Sequence, residues 1–138
     1  MKKLINTAFI YGGAALASGV FYREFTKMLG FTGRTVLATT HIHFFVLGAV
    51  LFLLLAAFSL NTNITETKPF KTFFVVYNIS LPLMVAMFYV RGILQVLGTT
   101  LSSGANAAIS GVSGLTHIAL TVGLVFLAVS FKKMTVKK

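Results

Sequence analysis

Three histidines and two arginines are the residues in this chain best equipped for chemistry: His41, His43, His117, Arg23 and Arg91. Each imidazole falls in the first turns of a long apolar stretch, where an ionisable side chain is expensive and points to a function. Imidazole is a standard axial ligand of haem iron. The guanidinium fork of arginine can donate two parallel hydrogen bonds to a carboxylate such as a haem propionate. Other chemistries are excluded or poorly supplied. Cysteine is absent, which removes disulfides, thiolate metal sites, iron–sulfur clusters and cysteine nucleophiles. The only acids, Glu24 and Glu66, lie outside the apolar stretches, and no Ser–His–Asp order or carboxylate pair is present to support hydrolysis. The Gly12-Gly13 pair sits inside an apolar stretch, where small residues serve helix packing rather than a phosphate loop.

The elements that must position these groups are membrane spans. Of 138 residues 57% are hydrophobic and 10% charged, with a mean hydropathy of +0.90. A soluble domain carries roughly 25% charged residues, so this chain cannot build an ordinary water-facing surface. A transmembrane helix needs about 20 apolar residues, and four stretches qualify: residues 4–22, 36–60, 70–98 and 111–131. The glycine- and serine-rich segment 99–114 reads as a loop with some helix. The opening Lys2-Lys3 pair followed by an apolar run also resembles a signal peptide. However, its small residues lie mid-segment and Phe21-Tyr22-Arg23-Glu24 stands where cleavage would fall, so retention is expected. The expected fold is therefore an all-α integral membrane four-helix bundle, a single transmembrane domain over residues 1–138.

Twelve Lys and Arg against two acids give a net charge of +10. The bases sit at chain ends and in short loops and form no stripe, so nucleic acid is not an expected partner; the lipid bilayer is. With both termini in the cytoplasm, eight bases (Lys2, Lys3, Lys68, Lys71, Lys132, Lys133, Lys137, Lys138) lie inside and four (Arg23, Lys27, Arg34, Arg91) outside. The positive-inside rule favours that orientation.

Short echoes suggest an internal 2+2 repeat. Thr40-His41-Ile42 recurs as Thr116-His117-Ile118, Phe21-Tyr22-Arg23 as Phe88-Tyr89-Val90-Arg91, and Leu29-Gly30 as Leu97-Gly98. Chance likeness between apolar segments is the competing explanation. Two helices per repeat would relate the halves by a pseudo-two-fold axis along the membrane normal, placing His41 and His117 at matching depth. In an up-down-up-down bundle the second and fourth helices are diagonal neighbours, so inward-facing His41 and His117 would grip one haem iron. Gly48, Gly111, Gly114 and Gly123 would let the backbone approach the macrocycle, and Arg23 and Arg91 would receive its propionates. Residues two apart on a helix differ by about 200°, so His43 would face elsewhere, toward a neighbouring helix, a second subunit or a second metal. A zinc site is less well supplied, because a structural one wants four ligands.

The run Thr-His-Ile-His-x-x-x-Leu-Gly at residues 40–48 resembles the haem-ligand helix of haem-copper oxidase subunit I, notably the cbb type, and of related nitric-oxide-response membrane proteins. The stretch Arg91-Gly92-Ile93-Leu94-Gln95-Val96-Leu97-Gly98, with Ser103-Gly104, Ile109-Ser110-Gly111 and Gly114-x-x-His117, is similar to an uncharacterised family of roughly 140-residue bacterial membrane proteins over nearly the whole chain. The first resemblance implies a b-type haem with His41 as an axial ligand. It does not extend to the oxidase copper ligands or cross-linked tyrosine, so oxygen reduction is not implied. The second implies a location in the bacterial cytoplasmic membrane. Together these give the expectation of a bis-His b-haem protein for electron transfer or for haem or gas-ligand handling, acting with a redox partner or other membrane subunits and compatible with a homodimer. It would be a carrier or sensor rather than a hydrolase. The alternatives are a non-haem structural or interaction protein, or a small zinc- or copper-binding membrane protein.

Overall fold

The computed structural model describes residues 1–137; Lys138, counted above among the basic residues, lies outside them. Four helices, each long and apolar enough to cross a membrane, make up the chain: α1 (Lys2–Met28), α2 (Leu37–Asn61), α3 (Lys68–Val96) and α4 (Ser103–Lys133). At 1.5 Å per residue they run about 37–46 Å, longer than the roughly 30 Å hydrocarbon core, so their ends reach the headgroups. The architecture is the multi-pass four-helix bundle that composition leads one to expect.

The connections follow from local capping. Helices α1 and α3 both stop at a glycine with positive φ, Gly30 at 61° and Gly98 at 62°. Gly30 N–H donates to Lys27 and Phe31 N–H to Thr26; Gly98 N–H donates to Gln95 and Thr99 N–H to Leu94. Both are Schellman caps, which need a residue tolerant of left-handed backbone. The Leu-Gly echo is thus accounted for by capping chemistry alone. Thr67 caps α3, its hydroxyl accepting from Phe70 N–H, and Pro69 occupies the first turn, where its missing N–H costs nothing.

Two elements differ from expectation. Helix α4 begins at Ser103, well before residue 111. The Ser102 hydroxyl accepts from Ala105 N–H at 3.2 Å, and Arg91 donates to Asn106 and Ser110 on the first turns. Cap and anchor together offset the low helix propensity of the glycines. Helix α2 is α-helical over Leu37–His43, π-helical over Phe44–Val50 and α-helical again over Leu51–Asn61. The wide turns begin directly after His43, and the Leu47 carbonyl accepts a hydrogen bond from the fully buried Tyr77 at 2.9 Å. Such π segments recur at functional sites.

Helix α3 is the hub. The core packs Phe52 against Phe73, Phe74 and Tyr77, with Tyr11 stacked on Phe52 at 5.8 Å. Tyr11 donates to Asn78 at 3.0 Å and Tyr89 to Ser18 at 2.7 Å, tying α1 to α3. The start of α2 docks on the far end of α3, where Thr35 Oγ1 donates to the Gly92 carbonyl and Val36 N–H to Gln95. Helix α4 packs along α3 and touches α2 only at the end carrying the chain termini. There Phe58 meets Phe131 edge-on at 5.4 Å, and residues after α4 form a short bridge between Thr62 and Val136. We call this the terminal end and the opposite one the histidine end.

Candidate functional site

At the histidine end the two turns of helix between residues 37 and 43 send their histidines to two different neighbours. Thr40 is fully buried. His41 turns toward α1: a Cβ added to Gly19 would lie 3.7 Å from His41 Cβ. The Nδ1 of His41 is buried with no hydrogen-bond partner. His43 points the other way, toward α3, as the rotation between neighbours-but-one requires. Its ring meets Phe88 edge-on, with centroids 4.9 Å apart and planes at 75°. His117 of α4 meets the same Phe88, with centroids 5.6 Å apart and planes at 52°.

His43 and His117 therefore both contact one phenylalanine, whereas His41 sits against α1. The structure thus brings His43, not His41, to the ring that His117 touches, because α4 packs on α3 and the imidazole of α2 that reaches it is the one facing α3.

Both imidazoles are held in the same way. His43 Nδ1 lies 2.8 Å from the Thr39 carbonyl and His117 Nδ1 lies 2.7 Å from the Ser113 carbonyl, each one helical turn back. A carbonyl only accepts, so Nδ1 carries the proton in each. In the neutral ring this leaves the Nε2 lone pair free, the tautomer and orientation that metal-ligating histidines are given by a backbone carbonyl. His117 is exposed on the bundle surface. Measured along α4 from Lys132 it lies about 22 Å into the span, within the hydrocarbon depth, where an uncovered imidazole is costly.

Arg91 stands one turn beyond Phe88 on α3, at the spacing that places two side chains on one helix face. Its guanidinium donates to Asn106 Oδ1 at 3.1 Å and Ser110 Oγ at 2.7 Å. Both partners are neutral, so its charge has no carboxylate. A cleft of about 330 Å³ opens beside it, lined by Gln95, Thr99, Ser103 and Asn106. Arg23 is not brought to this place; its side chain is 77% exposed and pairs with Glu24 at 3.5 Å.

The glycines divide. A Cβ on Gly48 would stand 2.5 Å from the Tyr11 ring. Gly48 thus admits α1, not a macrocycle, because the π segment turns it into the helix contact. Gly123 likewise faces Tyr77, 3.3 Å from a built Cβ, while Gly111 and Gly114 face open space.

Sequence reasoning missed Phe88 as the shared neighbour, the Thr39 and Ser113 carbonyls, and the Asn106–Ser110 cradle. A backbone carbonyl four residues back is offered by any residue type, so the sequence held no signal for it.

The residues fit a haem in part. Two imidazoles with free Nε2 atoms and an unneutralised guanidinium one turn beyond them are the right donor set. Phe88 is the half-buried ring that both imidazoles contact. Among the described residues no group of three or more His, Asp or Glu could hold a metal ion.

Fold and site together define a small four-helix membrane-spanning protein with paired histidines at one end. The family model described as Protein of unknown function (DUF2871) matches residues 1–134, and the chain belongs to that family. No curated protein and no solved structure is matched.

Proposed function

We propose that the protein is a b-type haem carrier of the membrane, with His43 and His117 as the axial ligands. The observation that carries this reading is their shared arrangement: Nδ1–H held by a backbone carbonyl, Nε2 free, and both rings against Phe88. Bound haem would supply a one-electron iron centre near the membrane surface. The chain's own part is to hold both imidazoles in one tautomer, to offer Arg91 to a propionate, and to keep water out with the half-buried Phe88. With two histidine ligands the iron is closed to small molecules, so electron transfer or haem handling is the favoured role over gas chemistry. Both termini in the cytoplasm of a bacterial cell, with His43 and His117 toward the outer leaflet, is the orientation that the lysines support.

The test is optical. Membranes containing the overexpressed protein should give a Soret band and a pyridine haemochrome of b type. His43→Ala and His117→Ala should each abolish the low-spin spectrum, and His41→Ala should retain it. A spectrum lost in His41→Ala and kept in His43→Ala would overturn the ligand pair. A colourless wild type purified with haem supplied would overturn the haem.

A second reading is favoured by the bare outer face of α4, where Gly104, Gly111 and Gly114 face open space. Small residues on a membrane helix admit another helix closely. On this reading the protein is a structural partner of other membrane subunits or of a second copy, and cross-linking from α4 tests it.

A further inference from the structure

A second cleft lies at the terminal end, far from the histidines, between the first turns of α1 and α3. It encloses about 380 Å³ and is lined by Lys3 and Leu4 of α1, Thr65 of the preceding turn, and Phe70, Lys71, Phe74 and Val75 of α3, with Met1 at its edge. Leu4 and Phe70 are buried and form its floor, whereas Val75 is 58% exposed. The cleft is therefore an apolar slot open to the bilayer. Its mouth is cationic. Lys3 Nζ lies 4.1 Å from the centre of the Phe74 ring, which holds the ammonium over the slot. Lys71 is exposed on the facing helix. Among the described residues neither lysine forms an ion pair, not even with Glu66 beside Thr65; the ion pair found there joins Arg23 to Glu24 at the other end.

We propose that this cleft binds an anionic phospholipid, with Lys3 and Lys71 meeting the headgroup phosphate and Phe74 and Val75 meeting the first methylenes of an acyl chain. Two lysines that no ion pair among the described residues neutralises attract negative charge at the headgroup level, and basic pockets between membrane helices take anionic headgroups for that reason. The apolar slot below them distinguishes a lipid from a free anion, which would leave Phe74 and Val75 uncovered. A zwitterionic lipid would bring its own ammonium against the two lysines.

The experiment uses the full chain in detergent and reads bound lipid by native mass spectrometry. Phosphatidylglycerol should bind about tenfold more tightly than phosphatidylcholine of the same acyl chains, given the typical contribution of each basic residue near a membrane surface. Lys3→Gln/Lys71→Gln should remove that preference. Lys132→Gln/Lys133→Gln, at the same end but outside the cleft, should keep it. Val75→Trp, which fills the slot and leaves both charges, should weaken phosphatidylglycerol binding. All exchanged side chains are exposed, so melting temperatures serve as the folding control. Equal affinity for the two lipids would overturn the proposal. So would an equal loss in the Lys132/Lys133 variant, which would mean surface charge alone, or displacement of the lipid by matched inorganic phosphate, which would mean an aqueous anion site.

Discussion

Helices α1 to α3 and helix α4 are held by different means. In the first group backbones come so close that glycine is obligatory at two contacts, Gly92 against Leu37 and Gly48 against Tyr11. Hydrogen bonds join the same helices, from Thr35 to the Gly92 carbonyl and from Tyr11 of α1 to Asn78 of α3. Helix α4 has one long seam, with α3, through Thr116, Leu120, Gly123, Leu127 and Ser130. It is also anchored at the histidine end by Arg91, which donates to Asn106 and Ser110, and clipped at the terminal end, where Asn63 Oδ1 accepts from Thr135 N–H and Lys137 Nζ donates to the Ser59 carbonyl. Between lipid-facing helices the driving force is packing and hydrogen bonding rather than water exclusion. The difference therefore teaches where glycine is indispensable to a contact and where it faces nothing within the chain. Within the first three helices two glycines are pressed against a neighbour, whereas the half of α4 that carries His117 leaves Gly104, Gly111 and Gly114 open.

The largest effect that breaks this contrast is expected at Gly92. A Cβ there would stand 2.7 Å from the Leu37 backbone nitrogen as well as 2.6 Å from its side chain. Backbone cannot step aside without undocking the start of α2, so Gly92→Ala should cost about 3 kcal/mol, the upper end of overpacking penalties. Thermal or denaturant unfolding in detergent reads this directly. Because His43 rides on α2, the same variant should also lose the bis-His spectrum.

Gly48→Ala should come next, at about 1–2 kcal/mol. The obstacle is Tyr11, whose Cγ and Cβ stand 2.5 and 2.6 Å from the built Cβ. Both atoms lie next to the α1 backbone, so relief needs α1 to draw back from α2, at the cost of the Tyr11 hydrogen bond to Asn78 and its stack on Phe52. Tyr11→Phe should separate these terms, losing the hydrogen bond and keeping the stack. An effect of Gly48→Ala equal to or above that of Gly92→Ala would mean that a shift of α1 is no cheaper than undocking the start of α2.

Much of this arrangement was legible in the sequence. Four apolar runs of the right length, separated by turn residues and lysines, gave the bundle, and the rarity of ionisable groups within the runs singled out the histidines. The helix rotation between His41 and His43 was also readable, and with it the certainty that both could not face one centre. Which of them faces α4 was not. That depends on α4 packing along α3 instead of closing the square against α2, a tertiary preference with no periodic signature in helices that are apolar all round. The reach of α4 back to Ser103 was hidden for a different reason. Glycine and serine argue for loop by propensity, and only the contact of Arg91 with Asn106 and Ser110 overrides them. Gly48 misled because a glycine marks close approach without naming what approaches.

The smallest effect is expected at Gly114, and it sharpens the contrast from the other side. A Cβ there meets nothing within 4 Å, so alanine incurs no steric cost. It also removes the backbone entropy that makes glycine about 0.5–1 kcal/mol worse than alanine in a helix interior. Gly114→Ala should therefore leave the isolated protein unchanged or slightly more stable, with the spectrum of wild type. The same substitution read in native membranes has a second meaning. If α4 lies against lipid there, the unfolding transition shifts no more than in detergent. If α4 packs its glycine face on another helix, a methyl group at the contact loosens that assembly, and cross-linking through α4 falls while the detergent-solubilised monomer stays intact. A loss of stability in the monomer itself would show that Gly114 is covered within the chain, and that the outer face of α4 is not bare.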